Sequence, residues 1–251
     1  MSNYMIYFSP TKSTEKIVKI ISKEFVVTNE IDLSKHDCKN DYSFGEEDLC
    51  IIGVPSYGGR VPSIALKRME KFIGNSTKVI LVVSYGNRAY DDTLKELQDF
   101  VKEKGFVCVG AVAAVAEHSI MHKFATNRPD DEDKLQLLDF SKQLKSRIGE
   151  EKYKIISLLG NYPYREYKGI PLKPHTTNKC TSCRLCAQLC PVGAISSENP
   201  RKLHKDECIT CMRCITICPT KAKKLNSLLV QVASKQIEKT CTDRKHNEIF
   251  I

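Results

Sequence analysis

Two runs of cysteine constrain this chain more than anything else in it. Cys180, Cys183, Cys186 and Cys190 form C-x2-C-x2-C-x3-C ahead of Pro191, and Cys208, Cys211, Cys214 and Cys218 repeat the run ahead of Pro219. Each cysteine of the second run lies 28 residues after its counterpart, and Ala194 and Ala222 keep the same offset, which marks an internal duplication. Eight of the 12 cysteines fall within 39 residues, a density that points to metal rather than to a scattered disulfide framework. Three closely spaced sulfurs wrap one iron–sulfur cubane, and the fourth, ahead of proline, reaches the neighbouring one. The spacing therefore predicts two [4Fe–4S] clusters. One takes Cys180, Cys183, Cys186 and Cys218; the other takes Cys208, Cys211, Cys214 and Cys190. Zinc sites use paired C-x2-C but seldom four cysteines in eleven residues ending in Cys-Pro. A segment of about 45 residues cannot stand on an apolar core alone, so clusters are expected to staple it, and the cofactor-free segment to be largely unfolded.

Charge is divided unevenly. Residues 1–150 carry 21 Lys and Arg against 22 Asp and Glu, whereas residues 151–251 carry 18 against 8. Two clusters contribute about −2 each with their thiolates, which lowers the basic half from +10 to about +6. The remainder is expected to steer a redox protein partner with an acidic surface. A basic nucleic-acid-binding zinc module would also explain the charge, but not the cysteine spacing. Lys179, Arg184, Lys205 and Arg213 flank the ligands. A positive charge roughly 10 Å from a cluster, at an effective dielectric near 20, is worth at most about 1.7 kcal/mol, or roughly 70 mV. These four are expected to raise the cluster potentials.

The first half alternates strand and helix. Strands are predicted at Asn3 to Ser9, Phe25 to Leu33, Leu49 to Val54, Val79 to Ser84 and Phe106 to Val115. Helices are predicted near Ser13 to Ser22, Ser63 to Phe72, Asp91 to Lys104 and Asp131 to Arg147. Leu49 to Val54 is nearly continuous in apolar residues, as in a strand buried on both faces. The pattern gives an α/β fold with a five-stranded parallel sheet covered on both sides, with ligands beyond the carboxyl ends of its strands.

Three loops there carry unusual chemistry. Ser9-Pro10-Thr11-Lys12-Ser13-Thr14 sets four hydroxyls between a strand and a helix, where backbone N–H groups favour an anion; N-capping alone needs only one of them. Pro55-Ser56-Tyr57-Gly58-Gly59 offers a flat ring and a flexible glycine pair, and Ser84 to Asp92 offers Tyr85, Gly86, Asn87, Tyr90 and Asp91. Together they describe a phosphorylated, planar ligand. Neither a Walker A loop nor a G-x-G-x-x-G is present.

On these loops residues 1–148 resemble the flavodoxin-like family, whose doubly wound sheet binds FMN. The resemblance implies that Ser9, Thr11, Ser13 and Thr14 hold the phosphate. It implies that Pro55, Ser56, Tyr57, Gly58 and Gly59 flank the ring on one side, and Tyr85, Gly86, Asn87, Tyr90 and Asp91 on the other. Asn87 would meet the pyrimidine edge. Lys12 stands where the family generally carries glycine, so its side chain either narrows the loop or adds charge to the phosphate site. Residues 176–220 resemble a two-cluster bacterial-type ferredoxin, a small α+β domain. The chain thus resembles a flavodoxin–ferredoxin fusion electron carrier with FMN and two [4Fe–4S] clusters. A flavin exchanges one electron or two and each cluster one, which suits a relay. The alternative is a flavin-dependent reductase of a small acceptor, fed by its own ferredoxin domain; the sequence names no catalytic acid or base for it.

Residues 149–175 form a proline-bearing, semi-stiff linker whose Tyr162, Tyr164 and Tyr167 are expected to pack on a domain. The tail, 221–251, is expected to form a helix near Leu225 to Lys239 that docks through Leu225, Leu228, Leu229 and Val232. Cys50 and Cys108 read as buried core thiols; Cys38 and Cys241 show no partner spacing. His118 reads as a hydrogen-bonded structural histidine rather than a catalytic one. There is no run long enough to span a membrane and no secretory signal, so the expectation is a protein of the reducing cytoplasm.

Overall fold

The computed structural model describes residues 2–149 and 155–251. Met1 and residues 150–154, which include the start of the expected linker, lie outside the described residues. In the first half β1 (Asn3–Tyr7), α1 (Ser13–Ile21), β2 (Asn29–Asp32), β3 (Ser43–Phe44), β4 (Leu49–Pro55), α2 (Ser63–Met69), β5 (Ile73–Gly74), β6 (Thr77–Tyr85), α3 (Thr93–Glu103), β7 (Phe106–Val115) and α4 (Asp131–Ile148) follow one another. The second half adds β8 (His175–Thr176), α5 (Leu185–Gln188), α6 (Arg213–Thr216), β9 (Lys223–Lys224), α7 (Ser227–Cys241) and β10 (Glu248–Phe250).

The main sheet runs β2-β1-β4-β6-β7-β10. Its first five strands are parallel, and β10 closes the edge antiparallel to β7. Counting parallel strands alone, this is the doubly wound flavodoxin-like order, whose switch point lies between β1 and β4. The register sets Tyr7 beside Gly53 and Pro55 beside Ser84, so β1, β4 and β6 open their loops onto one crevice. Alternate side chains feed two cores. Ile6, Ile52, Val83 and Val115 pack under Ala65, Met69, Leu94 and Leu97 of α2 and α3. Met5, Ile51, Ile80 and Val112 pack under Ile17, Val18, Leu137 and Leu144 of α1 and α4.

Two sequence expectations are corrected. The second strand is shorter than Phe25 to Leu33. After α1 the chain makes a 3-10 turn at Ser22–Glu24, and Val26 is exposed on the way to the edge position. On α7 the expected docking face is wrong for three of its residues: Leu228, Leu229 and Val232 point to solvent. The helix instead turns Val230, Ala233, Ile237 and Cys241 onto Ile120, Met121, Phe124, Leu172 and Met212, with Leu225 beside them. Both stripes have helical spacing. The choice is made by the tethers at the ends, where Asn226 caps Leu228 N and Leu229 N and Asn87 holds the carbonyls of Cys241 and Asp243.

β10, too short to be seen in the periodicity, is fixed by buried polar contacts. Asn247 accepts from Val115 N at 2.8 Å and donates to Asp133 at 3.0 Å; Arg128, 4% exposed, pairs with Asp133, 1% exposed, and donates to Lys245 O at 2.7 Å. Removing one partner of such a pair strands a buried charge. Asp133→Ala is expected to lower stability by about 3–5 kcal/mol, read as a fall in denaturant midpoint; a loss under about 1 kcal/mol contradicts this account.

Candidate functional site

The hydroxyl loop divides its labour. Ser9 Oγ accepts from Glu15 N at 3.0 Å, at the start of α1, and Ser9 N donates to Ser34 Oγ at 2.6 Å. Thr14 Oγ1 lies 2.7 Å from Ser84 Oγ, tying β6 to the loop. Thr11 and Ser13, whose hydroxyls lie 3.4 Å apart, keep no stronger claim on them. Thr11, Ser13 and Thr14 line a cavity at the switch point. Ser9 and Lys12 stand outside that lining. Lys12 takes the left-handed conformation, φ 71°, and its ammonium turns out to Glu15 at 2.6 Å. The side chain therefore neither narrows the loop nor enters the cavity.

Pro55, Ser56, Tyr57, Gly58, Tyr85 and Gly86 line the same cavity. Gly58 has φ +61°, and a Cβ there would sit 2.2 Å from the Tyr167 ring. Four expected ring contacts lie outside the lining. The Asn87 amide donates to Cys241 O at 2.6 Å and Asp243 O at 2.9 Å. Tyr90 OH donates to Glu248 at 3.0 Å. Asp91 pairs with Arg88 and Arg165, and Gly59 packs on Asp91 and Arg165. These residues hold the tail and linker in place of a ligand edge.

The cavity has further walls. Ala116 to Ile120 come from the loop after β7, Tyr167 and Ile170 from the linker, and Ile209 and Thr210 from the second cysteine run. The first group was legible, because the loop after the fifth strand opens onto the same crevice. The others depend on how the halves dock. His118 Nδ1 accepts from Ile120 N and Met121 N, both at 3.2 Å. Burial lowers its pKa to about 4, so the ring is neutral at pH 7 and carries its proton on Nε2.

The cysteine runs fold alike. Ser182 and Arg184 in one, and Thr210 and Met212 in the other, have φ between 56° and 65°. Four non-glycine residues in this region cost roughly 1–3 kcal/mol each and curl each loop around its sulfurs. Cys180, Cys183, Cys186 and Cys218 line one cavity; Cys190, Cys208, Cys211 and Cys214 line another. Among the described residues no group of three or more metal-ligating side chains is drawn together tightly enough for a single metal ion. Ser182 N points to Cys180 Sγ at 3.4 Å and Ala222 N to Cys218 Sγ at 3.2 Å. Burial pushes the Cys211 and Cys214 thiols up to about 12, so cluster binding there releases protons. Beside the second cavity, Nε and Nη1 of buried Arg213 have no partner among the described residues. A soft-thiol donor set with an orphaned buried cation fits an anionic iron–sulfur cluster.

The halves share walls. Ile209 lines both the cavity of the first half and that of Cys190, Cys208, Cys211 and Cys214. Arg68 Nη2 donates to Pro191 O at 2.5 Å, and Lys173 reaches Thr210 Oγ1 at 3.2 Å. The linker is strapped to α3. Asp92 accepts from Asn161 N and Arg165 N, both at 2.8 Å, and Tyr164 OH donates to Asp99 at 2.6 Å. Tyr164 and Tyr167 thus pack on the first half as expected, while Tyr162 is 83% exposed. Cys183, in the other run, is exposed.

Residues 170–223 match the family described as 4Fe-4S dicluster domain. No curated protein matches the chain. Among solved structures it is similar to a Fusobacterium nucleatum flavodoxin bound to flavin mononucleotide, with 20% identity over 58% of this chain and 98% of that one and a TM-score of 0.40. It is also similar to a flavodoxin from the domain Archaea, with 14% identity over 58% and 99% and a TM-score of 0.39. A third similarity is to rubredoxin oxygen:oxidoreductase from Desulfovibrio gigas, with 16% identity over 59% and 37% and a TM-score of 0.36. The described chain thus sets a doubly wound parallel sheet in the flavodoxin-like strand order ahead of a segment that matches a 4Fe-4S dicluster domain. No helix among the described residues is long and apolar enough to cross a membrane.

His118 generates a pH prediction. Its folded pKa lies below the ordinary 6.5, so the unfolded chain binds the extra proton. Stability from this group is full above about 6.5 and is lost as pH falls toward 4. His118→Gln is expected to flatten the acid limb of the stability profile between pH 6.5 and 4; an unchanged limb contradicts the buried neutral ring.

Proposed function

We propose that this chain relays electrons between FMN, bound at the switch-point cavity, and two [4Fe–4S] clusters, one of which exchanges electrons with outside protein partners. Ile209 carries the reading: placed between Cys208 and Cys211, it stands in the wall of both cavities, so one side chain borders both sites. Thr11 and Ser13, whose hydroxyls meet only each other at 3.4 Å, present them to the phosphate. Tyr57 and Tyr85 bound the ring, and Tyr167 with Ile170 covers it. The neutral His118 ring supplies an N–H donor at the cavity wall without adding charge. When bound, the flavin supplies the conversion between one-electron and two-electron transfer.

Partner access is proposed at the first cysteine run. Cys183 is exposed, and Lys179 and Arg184 stand exposed in its sequence neighbourhood, a basic setting for an acidic redox protein. The domain limits that go with this reading are 1–148, 149–175, 176–220 and 221–251. The reductase reading has one feature in its favour. A second groove shares Tyr57, Tyr167, Ile170 and Ile209 with the first cavity and adds Arg60, Glu96 and Lys173, a place for a small acceptor. Acceptor reduction by the isolated chain, abolished by removing flavin, would favour it.

The deciding experiment is anaerobic preparation with iron, sulfide and flavin counts. The relay reading expects about eight irons, eight sulfides and one FMN per chain; colourless material without acid-labile sulfide overturns it. Thr11→Ala and Ser13→Ala are each expected to weaken FMN binding about tenfold or more, the worth of a hydrogen bond to a charged group, in a fluorescence titration. Unchanged affinity in both would remove the phosphate from this loop.

A further inference from the structure

Of the four cations that flank the cysteine runs, Lys179, Arg184 and Lys205 are exposed and Arg213 is not. Arg213 opens α6, is 7% exposed, and lines the cavity of Cys190, Cys208, Cys211 and Cys214. Its Nε and Nη1 are buried without an acceptor among the described residues, and it forms no ion pair there. A buried guanidinium with unmet donors is strongly unfavourable unless an anion answers it. A second buried cation, Arg68, comes to the same place. It donates to the carbonyls of Leu33, His36 and Pro191, and Pro191 also lines this cavity. No carboxylate is among the residues that line it.

The duplication supplies an internal control. The residue 28 positions before Arg213 is Leu185, which lines the other cysteine cavity. That cavity has a buried cation of a different kind. Lys223 lies beside it, but its ammonium is already engaged by Thr176 Oγ1 at 2.7 Å and Pro200 O at 2.6 Å. Arg184 lines that cavity too, but it is exposed and solvent meets its donors; among the described residues, buried guanidinium donors without a partner face only the second cavity.

We propose that the Arg213 guanidinium donates a hydrogen bond to the cluster held by Cys190, Cys208, Cys211 and Cys214, and that it raises the reduction potential of that cluster alone. The inference rests on the two-cluster reading. Reduction adds one electron to a site that is already anionic, and both a fixed positive charge and a hydrogen bond to sulfur favour the reduced form. Since this cavity shares Ile209 with that of the first half, Arg213 holds an electron arriving from outside at the cluster next to the flavin. Arg213 is a positioning and tuning residue, not a catalytic one.

The test is a reductive titration of the intact holoprotein, followed by voltammetry and by the magnetic resonance of the reduced clusters. Arg213→Leu, the residue its counterpart carries, is expected to lower one of the two cluster midpoints by at least 59 mV, a tenfold shift in the one-electron equilibrium, and to leave the other in place. Arg213→Lys keeps the charge but loses the planar fork, and should recover only part of the shift. Leu185→Arg should raise the other midpoint, which keeps the proposal testable if the Arg213 variants load poorly. Full iron with both midpoints unchanged overturns the proposal, as does an equal shift of both. A wild-type chain holding a single cluster removes the reading beneath it, a result told apart by the iron count.

Discussion

The second half of this chain has almost no apolar interior of its own, and that lack shapes the rest of the molecule. Two curled loops hold left-handed residues against their preference and bring eight thiols around two cavities. Nothing in a segment this small offsets that cost except what the thiols bind and what the segment leans on. It leans on the first half. Met212 and Ile215 join Ile120, Met121, Phe124 and Leu172 in an apolar cluster contributed by both halves, the linker and α7. Nearby, Ile209 of the second cysteine run packs against the core of the first half.

That seam explains residues whose purpose is otherwise obscure. Asn87 sits where a flavin edge was expected, yet its amide is spent on the carbonyls of Cys241, the last residue of α7, and of Asp243 just beyond it. Asp92 is buried and accepts from the linker backbone; although burial opposes it, the amides of Asn161 and Arg165 hold its carboxyl below the usual range. Arg68 leaves α2 to meet the carbonyl of Pro191, directly after Cys190. Each fixes a connecting segment rather than a ligand. The cavity they leave is bounded on one side by the flavodoxin-like loops and on the other by the chain's own cysteine loop, where a free-standing flavodoxin-like domain would have solvent or a partner.

Much of this was legible in the sequence for a physical reason. Strand and helix periodicity reports burial, so β4, β6, β7 and α4 lie within two residues of where the apolar pattern puts them. Metal-ligand spacing reports loop geometry, so the four thiols lining each cavity are the sets read from the two cysteine runs. Tertiary choices were not legible. α7 carries two apolar stripes, and only its tethers select Val230 and Ile237 over Leu228 and Val232. β10 is three residues long and owes its place to Asn247. The four hydroxyls of the first loop look alike in sequence, but Ser9 is used in capping α1 and Thr14 in bridging to Ser84, leaving Thr11 and Ser13.

The central claim is that the flavin and cluster sites communicate across one shared wall inside one chain. Rapid mixing of the anaerobic holoprotein with a reductant too bulky to enter the switch-point cavity tests it most directly, with flavin and cluster absorbance followed separately. The account predicts flavin bleaching with a first-order rate that does not change as the protein is diluted tenfold. A rate that falls in proportion to protein concentration would mean that electrons reach the flavin from another molecule, and would contradict it.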